Sequence, residues 1–271
     1  MSVYTSPAGE ISVSTLRKMK RDERSIAAMT AYDASFARVL DRAGMDIVLV
    51  GDTLGVVMQG HDTTIPVTVE DTIYHARCVR RGLQRALLMV DMPFMSFATA
   101  EEALANAGRL MKEAGAQMVK LEGGAAQAAA VRRMNECGIP VCAHLGLKPQ
   151  SVHKIGGYRL QGRDEASARA ILEDALALEA AGADVVLLEC VPAGLAREIS
   201  GNLNVPVIGI GSGPDCDGQI LVLQDALGIT ERAPRFARNF LADSASIPEA
   251  IENYVESVRE RRFPGVEQTV E

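Results

Sequence analysis

The sequence predicts an α/β fold, a single (β/α)8 TIM barrel spanning residues 1–271 with an N-terminal capping helix. Three observations carry that reading. Short apolar runs recur with similar punctuation, segments of helical period rich in Ala, Leu and Glu separate them, and no composition break or low-complexity linker interrupts the 271 residues. Hydrophobic residues make up 48% and charged residues 23%, and 28 Lys+Arg against 35 Asp+Glu give a net charge of −7. A chain of this length buries roughly 70–75% of its unfolded surface, so it needs no disulfides to hold a core. The composition excludes a disordered or collagen-like chain. The acidic balance argues against a nucleic-acid partner, which requires a basic footprint. No apolar run approaches the ~18 residues of a membrane span, and Met1 to Ile11 lacks the basic and apolar regions of a secretory leader.

Val13 to Lys20 reads as a helix able to close the barrel bottom. Strands follow at Ser25–Met29, Asp46–Val50, Ala86–Val90, Met118–Leu121, Pro140–Ala143, Val185–Leu188 and Pro206–Ile210, with a weaker eighth at Gln219–Leu223. They are short, aliphatic and not alternating, as parallel strands buried on both faces are. The clearest helices are Ala100–Ala114 and Glu165–Ala181. The phrases Ala43-Gly44-Met45-Asp46, Ala114-Gly115-Ala116-Gln117 and Ala181-Gly182-Ala183-Asp184 repeat one device, a glycine that stops a helix just before a strand. The final helix, about Pro248 to Arg262, is amphipathic and belongs outside the barrel. Periodicity alone also fits an open doubly wound sheet, but eight units at this length favour the barrel.

The five cysteines, Cys78, Cys137, Cys142, Cys190 and Cys216, are odd in number and show no C-x-x-C spacing. They read as buried, reduced thiols of a cytoplasmic protein. The four histidines do not fall at zinc-ligand spacings with them. His61, His75 and His153 read as structural or solvated.

The chemistry lies in the residues that close the runs. Val50 is followed by Gly51-Asp52, Val90 by Asp91, Leu121 by Glu122, Ala143 by His144 and Leu188 by Glu189, while Lys120 shares a strand face with Glu122. The C-terminal ends of parallel barrel strands meet at one mouth, so these groups converge. Each carboxylate could instead cap the helix that follows, although Glu and His are weak caps. Several buried carboxylates need a cation, and hard oxygen donors suit Mg²⁺. Asp52 and Asp91 are the candidate metal ligands, with Glu122 binding directly or through water, and Lys120 is placed to meet an anionic substrate. The connections Thr53–Asp71 and Leu145–Asp164 are long enough to act as lids. Gly209-Ile-Gly-Ser-Gly213 follows the seventh strand, where many barrels bind phosphate, but it does not fit the dinucleotide fingerprint.

These motifs resemble the ketopantoate hydroxymethyltransferase family. The resemblance rests on Val50-Gly-Asp-Thr-Leu-Gly55, Gln59-Gly-His-Asp62, Asp91-Met-Pro-Phe94, Lys120-Leu-Glu-Gly-Gly124 and His144-Leu-Gly-Leu147. Pro149-Gln-Ser151, Gly156-Gly-Tyr158 with Gln161-Gly162, Glu189-Cys-Val-Pro192 and Asp217-Gly-Gln219 extend it from about Ser14 to Gly265. It implies a barrel of the phosphoenolpyruvate/pyruvate type. It also implies a Mg²⁺ enzyme that moves a one-carbon unit from 5,10-methylenetetrahydrofolate to 3-methyl-2-oxobutanoate, giving 2-dehydropantoate for pantothenate and coenzyme A synthesis. By resemblance, Asp52 and Asp91 are metal and substrate ligands, Glu122 a further metal ligand, Lys120 the substrate-binding lysine and Glu189 the proton acceptor. Thr53 stands where the family usually has Ser and keeps the hydroxyl for substrate. A homo-oligomer, commonly a homodecamer, is implied in the same way.

A 2-oxo acid can chelate Mg²⁺ through its keto and carboxylate oxygens, which stabilises the enolate formed when a base removes the C3 proton. One alternative is a Mg²⁺ lyase or phosphonomutase of the isocitrate-lyase type. Those lyases usually carry Lys-Lys-Cys-Gly-His, and Cys137-Gly-Ile-Pro140 is not a match. The other is a non-catalytic 2-oxo-acid-binding protein, which would not need Glu189. The folate site carries no strong motif.

Overall fold

The computed structural model describes residues 9–157 and 159–269. Most of the Met1–Ile11 segment and Tyr158 of the Gly156-Gly-Tyr158 motif therefore lie outside the described residues. Eight strands close a parallel barrel in chain order: β1 (Ile26–Thr30), β2 (Ile47–Val50), β3 (Leu87–Asp91), β4 (Met118–Glu122), β5 (Val141–Gly146), β6 (Val185–Glu189), β7 (Val207–Ile210) and β8 (Gly218–Leu221). β8 pairs with β1, which rules out the open sheet. The helices are α1 (Val13–Arg21), α2 (Ala34–Arg42), α3 (Leu54–Val57), α4 (Val69–Arg80), α5 (Ala100–Ala114) and α6 (Ala128–Glu136). After them come α7 (Val152–Ile155), α8 (Glu165–Ala180), α9 (Ala193–Asn202), α10 (Leu223–Ala226) and α11 (Ile247–Arg259).

Two apolar layers follow from the period of 2 along each strand. Ile26, Ala28, Ile47, Leu49, Leu87, Met89, Met118, Cys142, Val185 and Leu187 face inward and fill the barrel. Their neighbours Ala27, Met29, Val48, Val50, Leu88, Val90, Val119 and Leu121 face the helices. Leu16 and Met19 of α1 join the inner group and plug its lower end, as expected for the N-terminal helix. α11 packs outside, and its fully buried Tyr254 donates one hydroxyl across the closing seam toward Ala28 O at 2.8 Å and Gln219 O at 3.0 Å.

The glycine device holds in all three places, because Gly44, Gly115 and Gly182 have φ of 87°, 75° and 104°. Some expectations need correction. β5 runs three residues beyond Ala143 and takes His144 into the strand, while β8 begins one residue earlier than expected and ends at Leu221. The long connections are partly helical, since α3 and the start of α4 occupy the first and α7 the second. Only Cys142 and Cys216 are buried thiols; Cys78 and Cys190 are half-buried and Cys137 is exposed. No helix among the described residues is long and apolar enough to cross a membrane.

Candidate active site

The inward rows do not stop where the apolar residues end. Continuing every second residue from Leu87 and Met89 gives Asp91, and from Met118 it gives Lys120 and Glu122. The same step from Cys142 reaches His144, and from Leu187 it reaches Glu189. The top of the barrel interior is therefore polar because the strands are one or two residues longer than their apolar stretch. Asp91 stands in register with Lys120, and Glu122 with His144. Asp52 follows β2 by two residues and turns into the same space. Asp52, Thr53, Asp91, Lys120, Glu122 and Glu189 all line one cavity of about 640 Å³.

Lys120 Nζ donates to Asp91 Oδ1. The other Asp91 oxygen accepts from Asp52 N at 3.0 Å, which pins the β2 loop to β3. Asp52 Oδ2 accepts from Gln150 Nε2 at 2.9 Å, and the same nitrogen donates to Met92 O at 3.0 Å. Gln150 N donates to Glu122 Oε2 at 3.1 Å. Gln150 thus joins Asp52 to Glu122 from the loop after β5. His144 lies between two carboxylates, with Nδ1 3.5 Å from Glu122 Oε1 and Nε2 3.1 Å from Glu189 Oε2. Both contacts are close enough for ion pairing, yet neither ring nitrogen is aligned for a hydrogen bond.

The capping alternative fails. α3 begins at Thr53 with no side-chain cap, and α9 begins at Pro192 with none. α5 is capped by Thr99 and Glu102, not by Asp91. Glu189 is held in the mouth by backbone instead. Gly146, at φ 85°, packs so tightly there that a Cβ would meet Glu189 O at 2.2 Å, and Leu147 N donates to that oxygen at 2.8 Å. Cys190 then turns at φ 49°, a left-handed conformation uncommon outside glycine.

The electrostatics are unbalanced. Three buried carboxylates share one buried lysine. Burial, then the charges of Asp91 and Glu122, push the Asp52 carboxyl up to about 8. Burial also raises Asp91, against the pull of Lys120. Burial alone would discharge Lys120, but Asp91, Asp52 and Glu122 reverse this and hold it charged. Burial and Lys120 oppose a charge on His144, yet Glu122 and Glu189 outweigh them and lift its pKa to about 9. Glu122 Oε1 is buried without a hydrogen-bond partner. Surplus negative charge on hard oxygen donors fits a divalent cation such as Mg²⁺. Among the described residues no three Asp, Glu, His or Cys side chains enclose a ready metal position. The donors fit an ion whose remaining positions go to water and substrate oxygens, which is the usual habit of Mg²⁺.

Every site residue expected from the sequence is in this cavity. His144 and Gln150 join the expected residues; neither has a role assigned by the sequence, although Gln150 lies in the Pro149-Gln-Ser151 motif. In the Gly209–Gly213 segment a side chain and a carbonyl are tied to the barrel. Ser212 Oγ donates to Leu188 O at 2.9 Å, and Gln219 Nε2 donates to Gly213 O at 3.0 Å. His75 Nδ1 contacts Tyr32 O at 2.8 Å, a structural role.

The closed parallel barrel and its acidic mouth define a (β/α)8-barrel enzyme with the fold of the phosphoenolpyruvate mutase/isocitrate lyase superfamily. A member of that superfamily, 2,3-dimethylmalate lyase, superposes with a TM-score of 0.57 at 19% identity, covering 80% of this chain and 82% of its own. Phosphonopyruvate hydrolase, solved with oxalate and Mg²⁺, does so at 0.61 and 16% identity, covering 93% and 97%. At such identities the likeness is one of fold. Sequence is more specific: the ketopantoate hydroxymethyltransferase family matches residues 10–266. The 3-methyl-2-oxobutanoate hydroxymethyltransferase of Halorhodospira halophila is 60% identical over 263 residues, 97% of this chain and 96% of the relative. The chain belongs to the ketopantoate hydroxymethyltransferase family and is a transferase, which leaves no place for the lyase or binding-protein alternatives.

Proposed function

We propose that the chain transfers a hydroxymethyl group from 5,10-methylenetetrahydrofolate to 3-methyl-2-oxobutanoate, giving 2-dehydropantoate for pantothenate synthesis, with Mg²⁺ at the Asp52/Asp91 side of the cavity. The relative's name supports this acceptor. The observation that carries the reading is the surplus of buried carboxylates facing Glu189 across one cavity.

Asp52 and Asp91 would hold the metal, with Glu122 as a further acidic ligand. When bound, Mg²⁺ supplies Lewis-acid polarisation of the keto group. Lys120 remains charged and binds the carboxylate of the oxo acid. The Thr53 hydroxyl, free of capping duty, faces the same acid. Leu49, Leu187, Ile210 and Ile220 line the apolar part of the cavity, where the isopropyl group is shielded from water. Glu189 sits on β6, across the eight-stranded barrel from β2. It takes the C3 proton while His144 steadies its carboxylate. Water cleaves the folate's carbon–nitrogen bonds, which releases tetrahydrofolate and the one-carbon unit at the oxidation level of formaldehyde; C3 attacks that carbon, and the water-derived oxygen takes a proton and becomes the hydroxyl.

The test is a mass spectrum of products from purified protein with 3-methyl-2-oxobutanoate, methylenetetrahydrofolate and Mg²⁺. Formation of 2-dehydropantoate that requires all three is expected. No product with all three present would overturn the reaction, and undiminished product after chelation would remove the metal.

A further inference from the structure

The same cavity has a second polar patch, beyond β8, that the chemistry above does not use. Asp225 lies on α10, lines the cavity and is only 6% exposed. It does not cap its helix, whose N-cap is Val222. The Thr230 hydroxyl stands beside it, and no described lysine or arginine offsets its charge, so burial raises its carboxyl above the ordinary range. A carboxylate has about four acceptor positions, and one hydroxyl cannot fill them. Its remaining acceptor positions face the cavity, where a ligand can donate to them.

The surroundings limit what that ligand is. Val56, Val57, Pro234 and Phe236 line the same cavity and give it apolar surface. Further out, the exposed Arg232 and Arg235 line the rim, and among the described residues neither pairs with a carboxylate. Arg235 Nε donates to Glu267 O at 3.2 Å. β8 is separated from β2 by β1 alone, so Asp225 is near the metal side of the mouth. Asp52, Asp91 and Asp225 all bear on the buried Tyr32 phenol.

Resting on the proposed reaction, we infer that Asp225 receives the amino-pyrimidinone edge of the reduced pterin of the folate co-substrate, with Arg232 and Arg235 facing its glutamate carboxylates. That edge presents two adjacent N–H donors, from the ring nitrogen and the 2-amino group. A carboxylate accepts such a pair with two parallel bonds, the geometry of an arginine–carboxylate fork. The ring faces meet the apolar wall. The end of the ring system that carries the one-carbon unit then points toward the barrel centre, where the oxo acid is held, and the glutamate tail leaves toward the arginines.

The experiment uses tetrahydrofolate, its 2-desamino analogue, and the variants Asp225→Asn and Asp225→Ala, all by calorimetry. Both variants should bind tetrahydrofolate on the order of 10- to 100-fold more weakly, the scale of hydrogen bonds to a charged group. Binding of 3-methyl-2-oxobutanoate with Mg²⁺ should be unchanged, which reports an intact fold. The 2-desamino analogue should bind wild-type protein weakly and lose little further affinity in either variant. Arg232→Ala should cost a few-fold at low salt and nothing at high salt. Equal tetrahydrofolate affinity in wild type and variants would overturn the assignment, and so would an equal loss for the 2-desamino analogue, which indicates distortion and not contact. Wild-type protein that forms 2-dehydropantoate while the variants bind folate normally sinks this assignment alone. Wild-type protein that forms no product sinks the proposed reaction and this assignment with it.

Discussion

The two ends of the barrel both bury aspartates and treat them oppositely. At the lower end Asp46 pairs with Arg85 and Arg259 and also accepts from Ala27 N at 3.0 Å. Asp184 pairs with Arg17 of the plugging helix and accepts from Val141 N. The half-buried Asp217 pairs with Lys20 and accepts from Val207 N. Each carboxylate there has its own cation and a backbone donor at the start of a strand, so charge and hydrogen bonding close locally. At the mouth, Asp52, Asp91 and Glu122 share Lys120, and His144 is wedged between Glu122 and Glu189. A buried carboxylate with its own partner is part of the frame, whereas carboxylates in surplus are kept for something that binds.

The comparison breaks most readily at its upper end. Asp52→Ala and Asp91→Ala should each abolish Mg²⁺-dependent binding of the oxo acid in calorimetry, with turnover lowered at least 10²- to 10³-fold. Normal binding in both variants would remove them as ligands. Lys120→Ala should weaken the oxo acid by about 10²-fold and tetrahydrofolate far less; a loss confined to folate would reverse the assignment. The lower end should respond in stability alone. Asp46→Ala strands two partly exposed arginines and should cost about 3 kcal/mol in denaturant unfolding. Turnover per folded molecule should be unchanged, and a variant as stable as wild type would show that the lower pairs are not structural.

The pH response sharpens the contrast. Asp52 is raised to about 8, above its ordinary 3.8, by burial and by Asp91 and Glu122. Below that pH it holds a proton that a cation must displace, and above it the site is already ionised. Apparent Mg²⁺ affinity should therefore rise with pH up to about 8, by roughly tenfold per pH unit for one displaced proton, and then level off. Calorimetry in buffers of different ionisation heat counts the proton. Affinity that is flat between pH 6 and 8 would contradict the surplus-charge account.

The mouth was legible in the sequence because strand parity carries information past the apolar run. Whatever follows Leu121 or Leu188 in step with the inward row must face the cavity, so Glu122 and Glu189 could be read directly. Gln150 was not legible. It reaches Asp52 across 98 residues through the folding of a loop, and no period marks that approach. His144 gave no role because its meaning comes from two neighbours on other strands. The lower pairs were hidden for the same reason, with Arg259 meeting Asp46 at a separation of 213 residues. Strand ends differ from the expectation by one to three residues, because backbone pairing continues beyond the aliphatic stretch in β5 and stops short of it in β8.

The central claim is that the mouth is arranged around proton removal by Glu189 beside a metal-held oxo acid. NMR of 3-methyl-2-oxobutanoate in D₂O with Mg²⁺ tests it most directly, comparing wild type with Glu189→Gln. The variant should keep its fold, its Mg²⁺ and its oxo-acid affinity, yet lose C3–H exchange and net turnover together, by about 10²- to 10⁴-fold. Exchange at the wild-type rate in the Gln variant would contradict the account and leave Glu189 only a positioning role.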